Sequence, residues 1–220
     1  MKRSQIIAGA AIALAILSST LRAAAAPSPD VNSVVSELTA RMDAVAAYKA
    51  RIHLAVHLHS FPFLAANLEG STSYARPGRY TVTFDSLPSL ASAFQKVSGD
   101  VGDPAAWTSK YAIAIQPTEP TATPNTLTVR LTEKVRGQID HALAYVDLTS
   151  HTVTRMEWYY VNGGRISMEQ HFAPIDGVLL VDSQAADIDM PGYKATAQAV
   201  FDGYSVQVSM TPATRAAVRR

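Results

Sequence analysis

The chain has 220 residues, of which 48% are hydrophobic, with 19 basic and 18 acidic side chains and no cysteine. Its nearly balanced charge gives no reason to expect binding to nucleic acid or to an anionic membrane surface. The lack of cysteine excludes disulfides and anchoring through a lipidated cysteine.

The first 25 residues have the three parts of a secretory signal peptide. Lys2 and Arg3 form a positive start, apolar residues dominate positions 6–17, and alanines fill positions 23–26. The apolar run is too short to span a membrane. We predict cleavage after Ala25 and a soluble, non-lipidated protein in the periplasm. The leader carries three basic side chains and no acidic one, so the mature chain has 16 basic and 18 acidic side chains, a net charge of −2.

The rest of the chain is long enough for one domain with a sizeable core. We predict that this domain covers residues 26–210. Residues 211–220 contain three arginines, and we interpret them as a solvated basic tail.

An amphipathic helix is predicted at the start of the domain. Apolar residues recur at three- and four-residue steps from Val31 to Val45, and Asp30 precedes them as a capping residue. Glu37 and Arg41 lie four residues apart on the other side of this helix, where they are expected to pair.

The pattern then changes to the two-residue period of a strand. Ile52, Leu54, Val56 and Leu58 point to one face of it, while three histidines, His53, His57 and His59, point to the other. Paired imidazoles on a strand can hold zinc or copper, but such a site needs further ligands, and no nearby Asp or Glu supplies them in the sequence. We therefore predict a polar outer face and no metal.

The remaining chain is predicted to be mostly strand. Residues 87–97 have helical apolar spacing, Asp103 and Pro104 form a helix start, and residues 117–124 read as a loop. Asp187 and Asp189 are also assigned to a loop, beside Pro191. The predicted strands cover residues 69–74, 79–84, 127–131, 142–147, 153–160, 165–172, 178–182, 194–201 and 205–208.

These elements predict a mainly β (α+β) fold. It has about nine or ten antiparallel strands of meander type, with one long N-terminal helix and one or two short inserted helices.

The segment from Glu69 to Tyr80 reads Glu-Gly-Ser-Thr-Ser-Tyr-Ala-Arg-Pro-Gly-Arg-Tyr. With the signal peptide, the first helix and the later strands around the Asn162-Gly163 turn, it resembles the periplasmic lipoprotein-sorting carriers of bacteria, the LolA-like proteins. In them a similar strand ends in Arg-Pro before a strand that bears aromatic residues.

This resemblance implies an unclosed antiparallel half-barrel around an apolar cavity, covered by the N-terminal helix and short inserted helices. Arg76 matches the family arginine that bonds to backbone carbonyls of the lid. The apolar face of a lid is also a cavity wall, so the implied ligand-binding residues are Val35, Leu38, Met42, Leu54, Val56, Leu90, Phe94 and Trp107.

The implied function is an exported carrier that binds acyl chains of lipids or lipoproteins and transfers them across the periplasm. The expected partners are membrane-bound donor and acceptor proteins, and we expect a monomer without a cofactor. Two alternatives stay open: a sensor or protein-interaction module that uses residues 87–107 as its contact surface, and a metal binder on the three histidines. No linear enzyme signature is present, so we predict that the protein is not an enzyme.

Overall fold

A computed structural model describes residues 30–60, 64–76, 78–85, 104–117 and 125–209. Helix α1 spans Val31–Asp43, and the Asp30 carboxylate caps it by accepting hydrogen bonds from the backbone N–H groups of Asn32 and Ser33. The helix buries Val34, Val35 and Leu38, as the apolar spacing predicts.

Two details at α1 differ from the prediction. Val45 does not extend the helical stripe but begins the first strand. Glu37 and Arg41 do not pair: a Glu37 oxygen lies 3.2 Å from His151, and Arg41 turns inward to the sheet. Local spacing could not reveal these partners, because both lie more than a hundred residues away in the chain.

Ten strands form one antiparallel sheet in the order β3-β2-β1-β10-β9-β8-β7-β6-β5-β4. The sheet is not closed, which confirms the predicted fold class. The strands are β1 Val45–Leu58, β2 Ala65–Ala75, β3 Arg79–Phe84, β4 Tyr111–Ile115, β5 Thr126–Glu133, β6 Ile139–Asp147, β7 Thr152–Tyr160, β8 Arg165–Ile175, β9 Val178–Met190 and β10 Tyr193–Val208.

Strands β1 and β2 begin seven and four residues earlier than predicted, and three further strand assignments need correction. Strand β4 was not predicted, because alanines take the place of polar residues in its alternation. Asp187 and Asp189 lie in β9 rather than in a loop, where they alternate with Ala186 and Ile188 across the strand. The two predicted strands at 194–201 and 205–208 are one continuous strand, β10.

Helical structure follows Asp103, as predicted. A 3-10 turn at Pro104–Ala106 leads into the short helix α2, Trp107–Lys110. The side chain of Trp107 is 1% exposed and belongs to the main core. The predicted inserted helix at 87–97 lies outside the described residues.

The core is divided between the two halves of the sheet. The larger part packs α1 and α2 on strands β4 to β8, and includes Leu38, Val129, Val146 and Trp158. A second part lies between β1, β2 and β10, and a third lies near the end of α1 around Val45. Among the described residues, no helix has the length and apolar character needed to cross a membrane.

The outer face of β7 carries a buried carboxylate. Met156 and Trp158 point into the core, so Glu157 between them faces the other side of the sheet, yet its side chain is only 3% exposed. It lies 2.5 Å from Arg155 and 2.9 Å from Arg165, and the Tyr159 hydroxyl donates to it at 2.5 Å. Burial alone would raise the pKa of Glu157, but the Tyr159 hydrogen bond and the two guanidiniums outweigh it and lower the pKa.

We predict that Glu157→Gln lowers the free energy of unfolding near neutral pH by about 1–3 kcal/mol, because it removes the charged acceptor of two arginines. A lowered folded-state pKa gives stability that is present above the unfolded pKa and lost as pH falls through the folded value. The difference in the free energy of unfolding between wild type and Glu157→Gln should therefore become smaller below about pH 4. Urea unfolding at several pH values measures it.

Glu169→Gln is the matched control, because Glu169 lies on the neighbouring strand with its side chain 70% exposed. It should change stability by less than about 1 kcal/mol. If the free energies of unfolding of wild type and Glu157→Gln differed by the same amount at every pH, this would contradict an ionised Glu157 in the folded protein.

Candidate functional site

An apolar cavity lies on the inner face of the sheet, with a volume of about 520 Å³ including the space that opens to solvent. Residues of β1, β3, β8, β9 and β10 form its wall. The described lining residues are Ile52, Leu54, Tyr80, Val82, Phe84, Met168, Gln184, Ala186, Ala197, Ala199 and Phe201.

Small side chains leave this space empty. Ala197 and Ala199 are buried and face inward on β10, where they pair across the sheet with Val56 and Leu54 of β1. Ala186 on β9 pairs with Ala197, so alanines occupy neighbouring positions on two central strands.

A second cavity, the arginine cavity, has a volume of about 720 Å³ on the same measure and lies beside the last turn of α1. It shares Tyr80, Gln184 and Phe201 with the apolar cavity, so the two adjoin. Its other described lining residues are Leu38, Arg41, Met42, Tyr48, Pro104, Val153, Gln170, Phe172, Leu179, Leu180, Val181 and Tyr204.

The arginine cavity lies where β9 and β10 separate. Their pairing ends at Ser183 and Val200, beyond which β9 pairs only with β8 and β10 pairs only with β1. A bulge follows in β10 at Gly203, whose φ of 58° suits glycine.

Side chains replace the missing strand pairing. Arg41 Nη1 donates to the carbonyl of Leu179 at 2.8 Å, and the Tyr204 hydroxyl donates to the carbonyl of Val181. Both acceptors lie on the part of β9 that has left β10. Buried carbonyls need partners, so these two bonds allow the strands to stay apart.

Tyrosines form one wall of the arginine cavity. The ring of Tyr48 stacks on Tyr74 with centroids 5.6 Å apart, and it lies 5.7 Å from the ring of Tyr204 at a tilt. Burial raises the pKa values of Tyr48, Tyr80 and Tyr204, so these phenols stay neutral and keep their O–H donors at physiological pH.

The structure brings together three of the predicted ligand-binding residues. Leu54 lines the apolar cavity, while Leu38 and Met42 line the arginine cavity. The other predicted residues do not line either cavity as described: some lie in the hydrophobic core, and some belong to the part of the chain that is not described. Those in the core are Val35, Val56 and Trp107, and those outside the described residues are Leu90 and Phe94.

Sequence patterns did not identify the most polar lining residue, Arg41, nor the alanines of β9 and β10. Arg41 was expected on the solvent side of α1. The only local signal was its place next to Met42, at the edge of the apolar stripe.

Arg76 joins three chain segments. Its Nη1 donates to the backbone carbonyl of Asp43, the last residue of α1, and to the hydroxyl of Ser209, both at 3.0 Å. Its Nη2 pairs with the Asp43 carboxylate. The side chain is 41% exposed. Arg76 thus contacts a carbonyl of the covering helix, the type of bond that the resemblance implies, and its role in function stays a prediction.

His53 lies in β1 and His59 directly after it, and the two have separate surroundings. His53 lies between two carboxylates, 2.6 Å from Glu69 and 3.3 Å from Asp202, and His59 lies 3.2 Å from the Thr196 hydroxyl. Within the described ranges, no group of three or more His, Cys, Asp or Glu side chains is placed to hold a metal ion.

Three solved structures share this fold over most of their length, each with a TM-score of 0.61. A DUF1329 family protein from Desulfovibrio piger is 11% identical, and the match covers 84% of this chain and 97% of that one. A putative outer membrane lipoprotein-sorting protein domain from Vibrio parahaemolyticus is 10% identical, covering 85% and 97%. A LolA superfamily protein from Nitrosomonas europaea is 10% identical, covering 84% and 96%.

No protein-family model matches this chain, and no curated protein sequence matches it significantly. At about one identical residue in ten, the likeness lies in the fold. It confirms the resemblance from which the fold was predicted: the chain has the fold of LolA superfamily and lipoprotein-sorting proteins.

Proposed function

We propose that the protein is an exported, non-enzymatic carrier that holds acyl chains of lipids or lipoproteins in the apolar cavity. The observation that carries this proposal is the cavity itself, on the inner face of an unclosed sheet and lined by alanines on two central strands. Two structures with this fold are described as a lipoprotein-sorting protein domain and a LolA superfamily protein.

Acyl chains suit such a wall because burial of apolar surface needs no directional partner. Each buried methylene contributes about 0.8 kcal/mol, so half a dozen give roughly 5 kcal/mol before the cost of ordering the chain. Part of an acyl chain is therefore enough for useful affinity.

A carrier must also release its cargo, so loaded and empty states must lie close in free energy. The end of α1 is held by polar bonds: Arg76 to Asp43, Arg41 to Leu179, and the Ser209 N–H to the Ala44 carbonyl at 2.9 Å. We propose that these bonds let the end of α1 act as a lid with Arg76 as its clamp. The predicted cover at Leu90 and Phe94 lies outside the described residues.

The proposed route begins with cleavage of residues 1–25 and release of the mature domain into the periplasm. A membrane-bound donor would load the cargo and a membrane-bound acceptor would receive it. The domain would act as a monomer, without metal or cofactor.

Native mass spectrometry of protein purified from its own host tests this function. A co-purifying lipid or acylated peptide supports the carrier. A bound protein without lipid would favour the sensor or interaction module instead, and bound zinc or copper in the same sample would favour the metal binder.

We predict that Ala186→Phe weakens binding of a fluorescent fatty-acid probe by about tenfold or more, because the ring fills space that the acyl chain needs. If two methylenes of the acyl chain are no longer buried, binding loses roughly 1.6 kcal/mol, which corresponds to about a tenfold loss of affinity. Probe titration measures the affinity, and thermal unfolding checks the fold.

Ala185→Phe is the matched control. Ala185 is the preceding residue on β9, its side chain is exposed, and it does not line the apolar cavity. It should bind the probe like wild type. Equal affinity in both variants would place the acyl chain elsewhere.

We predict that Arg76→Leu changes probe release more than it changes stability. The pair with Asp43 is exposed, so its loss should cost about 1 kcal/mol or less of the free energy of unfolding. Arg76→Lys keeps the charge but lacks the planar fork that reaches Asp43 and Ser209 together. Its rate of probe release should therefore lie between the rates of wild type and Arg76→Leu.

Stopped-flow release of the probe and thermal unfolding of the three proteins provide the measurement. Arg79→Leu serves as the control, since Arg79 is an exposed arginine at the start of β3. If wild type, Arg76→Lys and Arg76→Leu release the probe at one rate, Arg76 does not clamp a lid.

A further inference from the structure

Arg41 is a half-buried cation with unused hydrogen-bonding capacity. One of its nitrogens donates to the Leu179 carbonyl at 2.8 Å, and another lies 3.4 Å from the Met42 sulfur, a weak acceptor. Its Nε is buried and has no hydrogen-bond partner among the described residues. Its guanidinium lies over the ring of Phe172, 5.3 Å from the centroid.

Among the residues that the structure describes, no acidic side chain balances this charge. In the part of the chain that the structure describes, no carboxylate lies within ion-pair distance of Arg41, and no Asp or Glu lines the arginine cavity. Burial lowers the pKa of Arg41, but a guanidinium remains charged at physiological pH. A buried cation without an anion is costly, which favours an anion that arrives with a ligand.

The remaining polar groups of the arginine cavity are neutral. Gln170 and Gln184 lie on its wall, joined by a 2.9 Å hydrogen bond, and the tyrosines contribute hydroxyl groups. The apolar cavity has only Tyr80 and Gln184 as polar lining residues among those described, and these are shared with the arginine cavity. The two adjoining cavities therefore differ in character: one is apolar, and the other carries one positive charge.

We propose that the arginine cavity binds the anionic head group of an amphiphile, a carboxylate or a phosphate, whose acyl chain lies in the apolar cavity. The proposal rests on the proposed function and names its ligand class: a singly acylated anion rather than a neutral lipid. The head group accepts hydrogen bonds from the Nη N–H groups of Arg41 that the Leu179 carbonyl does not use. Arginine suits this task because its planar fork matches two oxygens of a carboxylate or phosphate.

A purely structural role for Arg41 is the competing explanation, since it also holds α1 against β9. The two roles separate by ligand charge. A structural role changes the binding of neutral and anionic ligands alike, while a head-group site discriminates between them.

The test uses three ligands with the same chain: laurate, lauryl phosphate and lauryl alcohol. Each displaces a neutral fluorescent probe from wild type, Arg41→Lys, Arg41→Gln and Arg136→Gln, with thermal unfolding as the check on folding. Arg136 is an exposed arginine outside both described cavity walls, so its variant removes the same charge without touching the site.

We expect wild type and Arg136→Gln to bind at least one of the two anions about tenfold or more tighter than the alcohol, the size of one charge-assisted hydrogen bond. Arg41→Gln should abolish that preference, because it lowers the affinity for the anions more than the affinity for the alcohol, and Arg41→Lys should keep part of it. Preference for laurate identifies a carboxylate site, and preference for lauryl phosphate a phosphate site.

Equal binding of all three ligands by wild type would overturn the proposal and leave the acyl-chain function standing. So would an Arg41→Gln variant that weakens all three equally. Binding of none of them would overturn the proposed function together with this inference. If Arg41→Gln does not fold, wild type and Arg41→Lys are compared instead: a preference for an anion over the alcohol that is weaker in Arg41→Lys supports the proposal, and no preference in wild type overturns it.

Discussion

The separation of β9 from β10 is the constraint on which the rest of this structure depends. A continuous antiparallel ladder would bring the two strands together and leave no room between them for side chains of α1. Instead their pairing ends at Ser183 and Val200, and Arg41 and Tyr204 donate to the freed carbonyls of β9. A side chain of the helix thus completes the hydrogen bonding of the sheet, and the cavity beside it follows from that substitution.

The same arrangement divides α1 into two parts with different attachments. Val34, Val35 and Leu38 are buried in the main core, which fixes the first turns of the helix on strands β4 to β8. The last turn is held by polar bonds from Arg41 and Arg76 and by Met42, which packs against the smaller core part around Val45. Such bonds contribute about 1 kcal/mol each when water can replace them, much less than a buried apolar side chain.

The sequence predicted what depends on local periodicity. The spacing of Val31, Val34 and Leu38 produced α1 close to where it lies, and the alternation from Ile52 to Leu58 produced the second half of β1. The Arg-Pro segment at Arg76 pointed to the correct fold. Strand β4 was missed because Ala112 and Ala114 hide its alternation.

The cavities could not be predicted in the same way. Arg41 and Leu179 are 138 positions apart, and nothing near either residue indicates the other. Alanines at 186, 197 and 199 look like weak strand formers in sequence. The space they leave depends on which strands become neighbours, and a cavity is therefore a property of the pairing order rather than of any one segment.

Methionine methyl resonances test the central claim, that one ligand occupies both cavities, most directly. Met42 lines the arginine cavity and Met168 the apolar cavity, while Met190 lies at the far end of β9, outside both described walls. With isotope-labelled methionine methyl groups assigned by single Met→Leu variants, addition of laurate should shift the signals of Met42 and Met168 together and leave Met190 unchanged. Saturable binding that leaves Met42 and Met168 unmoved, or that shifts Met190 alone, would contradict this account.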